Sequence, residues 1–83
     1  VTGRIEGTQV RIGTDSGYTG QGYGAISIGL NAGYQNQGQY SIALGYMSGR
    51  NNQGSNAVSV GYRAGETGQN NSSIAIGHFY FGY

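Results

Sequence analysis

The chain has 83 residues, a formal charge of +1, only 8% charged side chains, 18 Gly, and neither Cys nor Pro. So short a chain is one domain at most. Its four Arg (Arg4, Arg11, Arg50, Arg63) make no basic patch for nucleic acid, and without Cys a disulfide scaffold and a thiolate metal site are both excluded. Asn, Gln, Ser and Thr supply most of the polarity. No apolar run approaches the roughly 18 residues of a membrane span. A first residue of Val1 rather than Met reads as a fragment or a processed piece.

Residues 1–9 read as a lead-in. From residue 10 a period of 16 begins: Val10, Ile26, Ile42, Val58 and Ile74 form one column, and Ile12, Ile28, Leu44, Val60 and Ile76 form a second. Gly13, Gly29, Gly45, Gly61 and Gly77 follow, then Gly17, Gly33, Gly49 and Gly65, then Gln21, Gln37, Gln53 and Gln69. No insertion breaks the units VRIGTDSGYTGQGYGA, ISIGLNAGYQNQGQYS, IALGYMSGRNNQGSNA and VSVGYRAGETGQNNSS, and a partial unit IAIGHFYFGY closes the chain. High Gly, Asn and Gln content alone suits a disordered chain, but composition bias would not hold the aliphatic columns in register.

Sixteen residues is too few for a helix-pair repeat and suits one coil of a parallel β-solenoid or β-roll. Gly interrupts every helical turn, at about 1 kcal/mol each relative to Ala. In each unit, apolar-x-apolar-Gly predicts a short strand by alternation, with the Gly free to turn the chain at positive φ. A second short strand is expected over Leu30–Ala32, Tyr46–Ser48 and Tyr62–Ala64. The Asn/Gln/Gly segment is then the return turn, with amides laddering up the stack. Four to five coils at about 4.8 Å give a rod roughly 20 Å long. The repeat domain spans residues 10–77, and residues 78–83 (HFYFGY) read as an aromatic cap on the open end or a junction.

Two ways of closing the coil are open. A flat coil takes the small columns inside: Ser27, Ala43, Ser59 and Ala75 (with Arg11 in the first unit), and Ser16, Ala32, Ser48 and Ala64. The paired aliphatics then point outward as a stripe of ten, which demands cover from other copies. A rounder coil would bury the aliphatics and leave a monomer. The flat coil is the expectation. Its oligomer seam is Val10, Ile12, Ile26, Ile28, Ile42, Leu44, Val58, Val60, Ile74 and Ile76.

The units "SIALGYMSG", "AVSVGYRAG" and "SSIAIG" resemble the head repeats of trimeric autotransporter adhesins, the YadA-like head, and similar arrays in phage and large-virus fibre proteins. The resemblance covers Val10 to about Gly77, although the unit here is slightly longer and has a Gln/Gly/Asn-rich turn. It implies a homotrimer of left-handed parallel β-rolls with the aliphatic stripe on the three-fold axis. It also implies a structural or adhesive role in an extracellular, cell-surface or virion-surface fibre. A filament-forming β-solenoid, stacking end to end as a matrix or amyloid-like fibre, is the alternative.

Nothing in the sequence converges as a catalytic site. Glu6, Asp15, Glu66 and His78 recur in no column, and His78 falls in the column of Leu30, Tyr46 and Tyr62. The G-x-G-x-x-A match at residues 20–25 precedes a strand instead of opening a helix, so it cradles no phosphate. One Asp cannot supply a Ca²⁺ β-roll, which needs Asp in every repeat. No cofactor is implied. Two sequons overlap at Asn70 and Asn71, where a polar turn is the simpler reading. Tyr18, Tyr34, Tyr46 and Tyr62, with Gln37 and Gln53, form the candidate surface contact for a host glycan or receptor; cover for a flat sheet face is the plainer role of these rings.

Overall fold

The structure, a computed structural model, describes residues 8–77. Most of the lead-in and the aromatic segment 78–83 lie outside the described residues. Branched aliphatic residues flanking one central residue, small in every coil but the first, favour an extended backbone, and each such triplet is a strand. They are β1 (Val10–Ile12), β2 (Ile26–Ile28), β3 (Ile42–Leu44), β4 (Val58–Val60) and β5 (Ile74–Ile76). All five lie in chain order in one parallel sheet. The register carries Val10 onto Ile26, Ile26 onto Ile42, Ile42 onto Val58 and Val58 onto Ile74, so coils of 16 residues stack without slip. The protein is an all-β parallel β-solenoid, with no helix among the described residues.

The second strand lies elsewhere than expected. Leu30–Ala32, Tyr46–Ser48 and Tyr62–Ala64 are turns, because Asn31, Met47 and Arg63 take left-handed φ of 59°, 55° and 57°. The second ladder forms a few residues later, as single bridges linking Thr19, Gln35, Asn51 and Thr67. Left-handed residues recur at two further columns, through Asn36 and Asn52, and through Tyr40, Asn56 and Ser72. Asn tolerates that conformation better than other L-residues, which accounts for part of the unusual composition. Gly29 is demanded more strictly. Its φ is +127°, and a Cβ there would lie 2.7 Å from the Gly45 carbonyl oxygen of the next coil.

Hydrogen bonds between coils extend far beyond the strands. Gly29 donates to the Ile12 carbonyl at 2.8 Å and Asn31 to Thr14 at 3.0 Å, toward the preceding coil. Gln35 donates to Arg50 at 2.8 Å and Gly38 to Gln53 at 2.8 Å, toward the following one. Turn backbone is thereby bonded up and down the stack, which satisfies groups that would otherwise need water.

The interior is narrow. Its buried hydrophobic residues are all alanines, at positions 25, 32, 43, 57, 64 and 75, interleaved with Ser16, Ser27, Ser41, Ser48, Ser59 and Ser73. Ser and Ala alternate coil by coil in a matched way. Ser16 Oγ sits 2.8 Å from Ser27 Oγ, and Ser48 Oγ donates to the Ser59 carbonyl at 2.9 Å and meets its Oγ at 2.9 Å. The intervening coils place Ala32 and Ala64 in the column of Ser16 and Ser48, and Ala43 and Ala75 in that of Ser27 and Ser59. A buried hydroxyl needs a partner, so Ser16 pairs with Ser27 and Ser48 with Ser59, while Ser41 and Ser73 donate to the Gly38 and Asn70 carbonyls at 2.7 Å.

Candidate functional site

With Ser27, Ala43, Ser59 and Ala75 pointing inward, the residues on either side of each must point outward. The structure therefore places the aliphatic columns on the outer face, as the flat coil requires. Val10, Ile26, Ile42, Leu44, Val58 and Val60 are half-buried by their stacked neighbours, whereas Ile12, Ile28, Ile74 and Ile76 are 44%, 37%, 61% and 69% exposed. The result is one continuous branched-aliphatic stripe along the stack of strands, on a chain whose interior holds no side chain of that size and type.

Tyrosines form two further outer ladders. Tyr18 and Tyr34 stack at 5.2 Å with planes 7° apart, and Tyr46 and Tyr62 stack at 5.2 Å and 12°. Arg50 continues the first column, with its guanidinium 5.5 Å from the Tyr34 ring centroid. Rings stacked in this way spend their faces on one another. Each stack covers one face of each ring, and the tyrosines stay open to solvent, Tyr18 at 59% and Tyr62 at 48% exposed.

Gln37 and Gln53 do not belong to that surface. Both are 2% exposed, as is Gln69. Their amides cap the strand ends from inside: Gln37 Nε2 donates to the Ile26 carbonyl at 2.8 Å, Gln53 to Ile42 at 2.7 Å and Gln69 to Val58 at 2.7 Å. The physical reason is the glycine column before them. A Cβ on Gly33 would lie 2.9 Å from Gln37 Oε1, so only Gly leaves room for the carboxamide to fold inward. An unvarying Gln column beside outer columns that vary freely is the signal that separates interior from surface. The amide ladder of the return turn runs instead through its Asn column, where Asn36 Nδ2 donates to Asn52 Oδ1 at 3.0 Å.

Charge collects at one place that sequence reasoning missed. Arg63 Nε donates to Glu66 Oε1 at 2.7 Å, and Arg50 reaches Glu66 Oε2 at 3.9 Å. Hydrogen bonding to Glu66 comes first among the causes that hold the Arg63 pKa above its ordinary value. Arg63 sits three residues before Glu66 in the same coil, and Arg50 stands one period before it in the same column, so stacking the coils brings both guanidinium groups to one carboxylate. Asp15 lies in the first coil, far along the stack from Glu66 in the coil of residues 58–73, while Glu6 and His78 lie outside the described residues. No cluster of metal-ligating side chains occurs among the described residues. At the paired sequons Asn71 Oδ1 accepts from the Ser55 amide at 2.9 Å, which ties that side chain to the turn below.

Comparison with family models, with curated proteins and with solved structures gives no match. The site must therefore be read from its chemistry, and its dominant feature is the aliphatic stripe.

Proposed function

We propose that this chain is a structural and adhesive segment of a trimeric fibre on a cell or virion surface, in extracellular surroundings, spacing and attaching rather than catalysing. The observation that carries the reading is the outward stripe of Val10, Ile12, Ile26, Ile28, Ile42, Leu44, Val58, Val60, Ile74 and Ile76. A contiguous apolar face of this kind is covered in water, and one that runs the length of a rod is best covered by parallel copies around a rotation axis. The three-fold count comes from the resemblance to trimeric adhesin heads. Tyrosine hydroxyls and the Asn36/Asn52 amides are then left on the outer turns, where a glycan or receptor would be met.

Size-exclusion chromatography with light scattering tests the reading. The chain is expected to run as a trimer, and Ile28→Asp, which puts a charge in the seam, is expected to give a folded species of lower mass. A monomeric native chain, or an Ile28→Asp variant of unchanged mass, overturns the seam. Glycan-array binding by the native trimer supports attachment, and its absence leaves the spacer role alone.

A further inference from the structure

Among the described residues, Tyr40 is the one aromatic side chain carried on left-handed backbone. Residues 22–25 form a four-residue turn, closed by the Ala25 amide donating to the Gly22 carbonyl at 3.1 Å, and Gly24 takes its third position at φ +71°. A positive φ at that position calls for Gly or Asn. One period on stands Tyr40 at φ +58°, followed in the same column by Asn56 and Ser72. A bulky residue in this region is an outlier, and such strain persists where something else requires it. Met47 and Arg63, the other long side chains at positive φ, are half-buried, whereas Tyr40 is exposed.

Its ring meets that of Tyr23 edge to face, with centroids 6.0 Å apart and planes at 88°. The Tyr40 amide donates to the Tyr23 carbonyl at 2.9 Å. The Tyr40 ring lies over Gly24, where a Cβ would fall 2.9 Å from its Cδ1. The pair is thus tied together across two coils, which spares a ligand much of the entropy of ordering it. An edge-to-face pair gives up one ring face, where each stacked pair gives up two. Tyr23 and Tyr40 are 56% and 57% exposed, so an aromatic corner stands open to solvent.

The surroundings of the corner select its ligand. The return turns, residues 19–24, 35–40, 51–56 and 67–72, contain no charged side chain. One period beyond Tyr23 and Tyr40 stand Gln39 and Asn56, both exposed. An ionic ligand finds nothing here to pair with. A neutral sugar finds both things it needs: an aromatic face for the C–H side of its ring, and amides and tyrosine hydroxyls for its own hydroxyls. We propose that Tyr23 and Tyr40 form a binding corner for a neutral hexose or N-acetylhexosamine unit of a glycan. The corner rests on the attachment half of the proposed function and is independent of the three-fold seam.

An array of neutral, sialylated and sulfated oligosaccharides, probed with the whole chain, tests this. Neutral probes are expected to be bound, and acidic ones no better than their neutral cores. Tyr40→Asn gives the turn a residue it favours, so it is expected to raise Tm while weakening the best neutral probe about tenfold or more, the effect of about 1.4 kcal/mol. A Tyr40 kept only as cover for the turn would lower Tm when replaced, and that result overturns the proposal. Tyr23→Ala is expected to weaken the same probe as strongly. Binding confined to acidic probes, or no binding at all, also overturns it. A neutral probe indifferent to both substitutions leaves attachment standing and removes this site. A monomeric native chain that still binds through Tyr40 removes the trimeric fibre and leaves the site standing, so the two readings fail separately.

Discussion

The pairing of interior hydroxyls sets up a double-mutant cycle at Ser48 and Ser59. Both residues are fully buried. Ser48 Oγ donates to the Ser59 carbonyl at 2.9 Å, and Ser59 Oγ also takes the Gln53 amide at 3.1 Å. Ser48→Ala removes a single hydroxyl from this network, at about 1 kcal/mol, the usual net worth of one hydrogen bond. Ser59→Ala leaves one Gln53 proton short of a partner and removes one of the two acceptors of the Ser48 hydroxyl in a dry interior, at about 1–3 kcal/mol. The double substitution recreates the native arrangement of Ala32 against Ala43, where Gln37 keeps its bond to the Ile26 carbonyl at 2.8 Å with no hydrogen bond to a serine hydroxyl. Its cost is therefore expected to fall short of the sum of the singles by about 1 kcal/mol or more, a coupling within the range seen for residues that share a network. Urea denaturation at one fixed protein concentration measures all four corners, since association would otherwise shift the midpoints. Costs that add to within about 0.5 kcal/mol, the spread expected of independent sites, refute the reasoning.

Two further outcomes follow from the same interior and its turns. Met47 holds φ +55° in the column where the preceding coil uses Asn31. Met47→Asn is expected to stabilise the chain by about 1 kcal/mol, since the left-handed region costs ordinary side chains roughly that much; thermal denaturation reads it as a raised Tm. Gln53→Glu puts a carboxyl where a buried amide donates to the Ile42 carbonyl at 2.7 Å. Protonated, the new acid can still donate; ionised, it cannot, and burial raises its folded pKa above the ordinary value of about 4.3. The sign follows: the variant is closest to native stability below that ordinary value and loses stability as pH rises through it toward the folded pKa. Denaturation midpoints at a series of pH values check this, and a midpoint that falls in acid alone would contradict it.

The period, the strands and the inside–outside assignment were legible because each shows as a column: identical spacing, branched residues flanking a small one, glycine behind. The second ladder was not. Leu30–Ala32 and its copies look extended when only apolar content is weighed, yet Asn31 and Asp15 in that column signal a left-handed turn that Met47 and Arg63 obscure. The bridged column of Thr19, Gln35, Asn51 and Thr67 has no apolar signature at all, because its side chains are exposed or only half-buried. Gln37 and Gln53 read as surface for the same reason: amides are polar, and only the adjoining glycine column shows that space was made for them inside. The Arg50–Glu66–Arg63 cluster needed three-dimensional stacking, since its longer leg spans a full period.

The narrowness of the coil ties these points to the function proposed. A flat coil closes only around methyls and hydroxyls, so its interior specifies register: a Ser faces a Ser, an Ala faces an Ala, and a Gln amide reaches the carbonyl at a strand's start. What such an interior cannot do is bury much hydrocarbon, because an Ala methyl is worth about 0.8 kcal/mol on burial against roughly 1.5–3 kcal/mol for a Val, Leu or Ile side chain. The branched residues that could supply more stand outside, at positions such as Ile74 and Ile76, more than half uncovered. Register and branched-aliphatic surface are thus separated in space, one kept inside the coils and the other set on their outer face. On the function proposed, a module built on that division gains stability when its copies meet along the stripe.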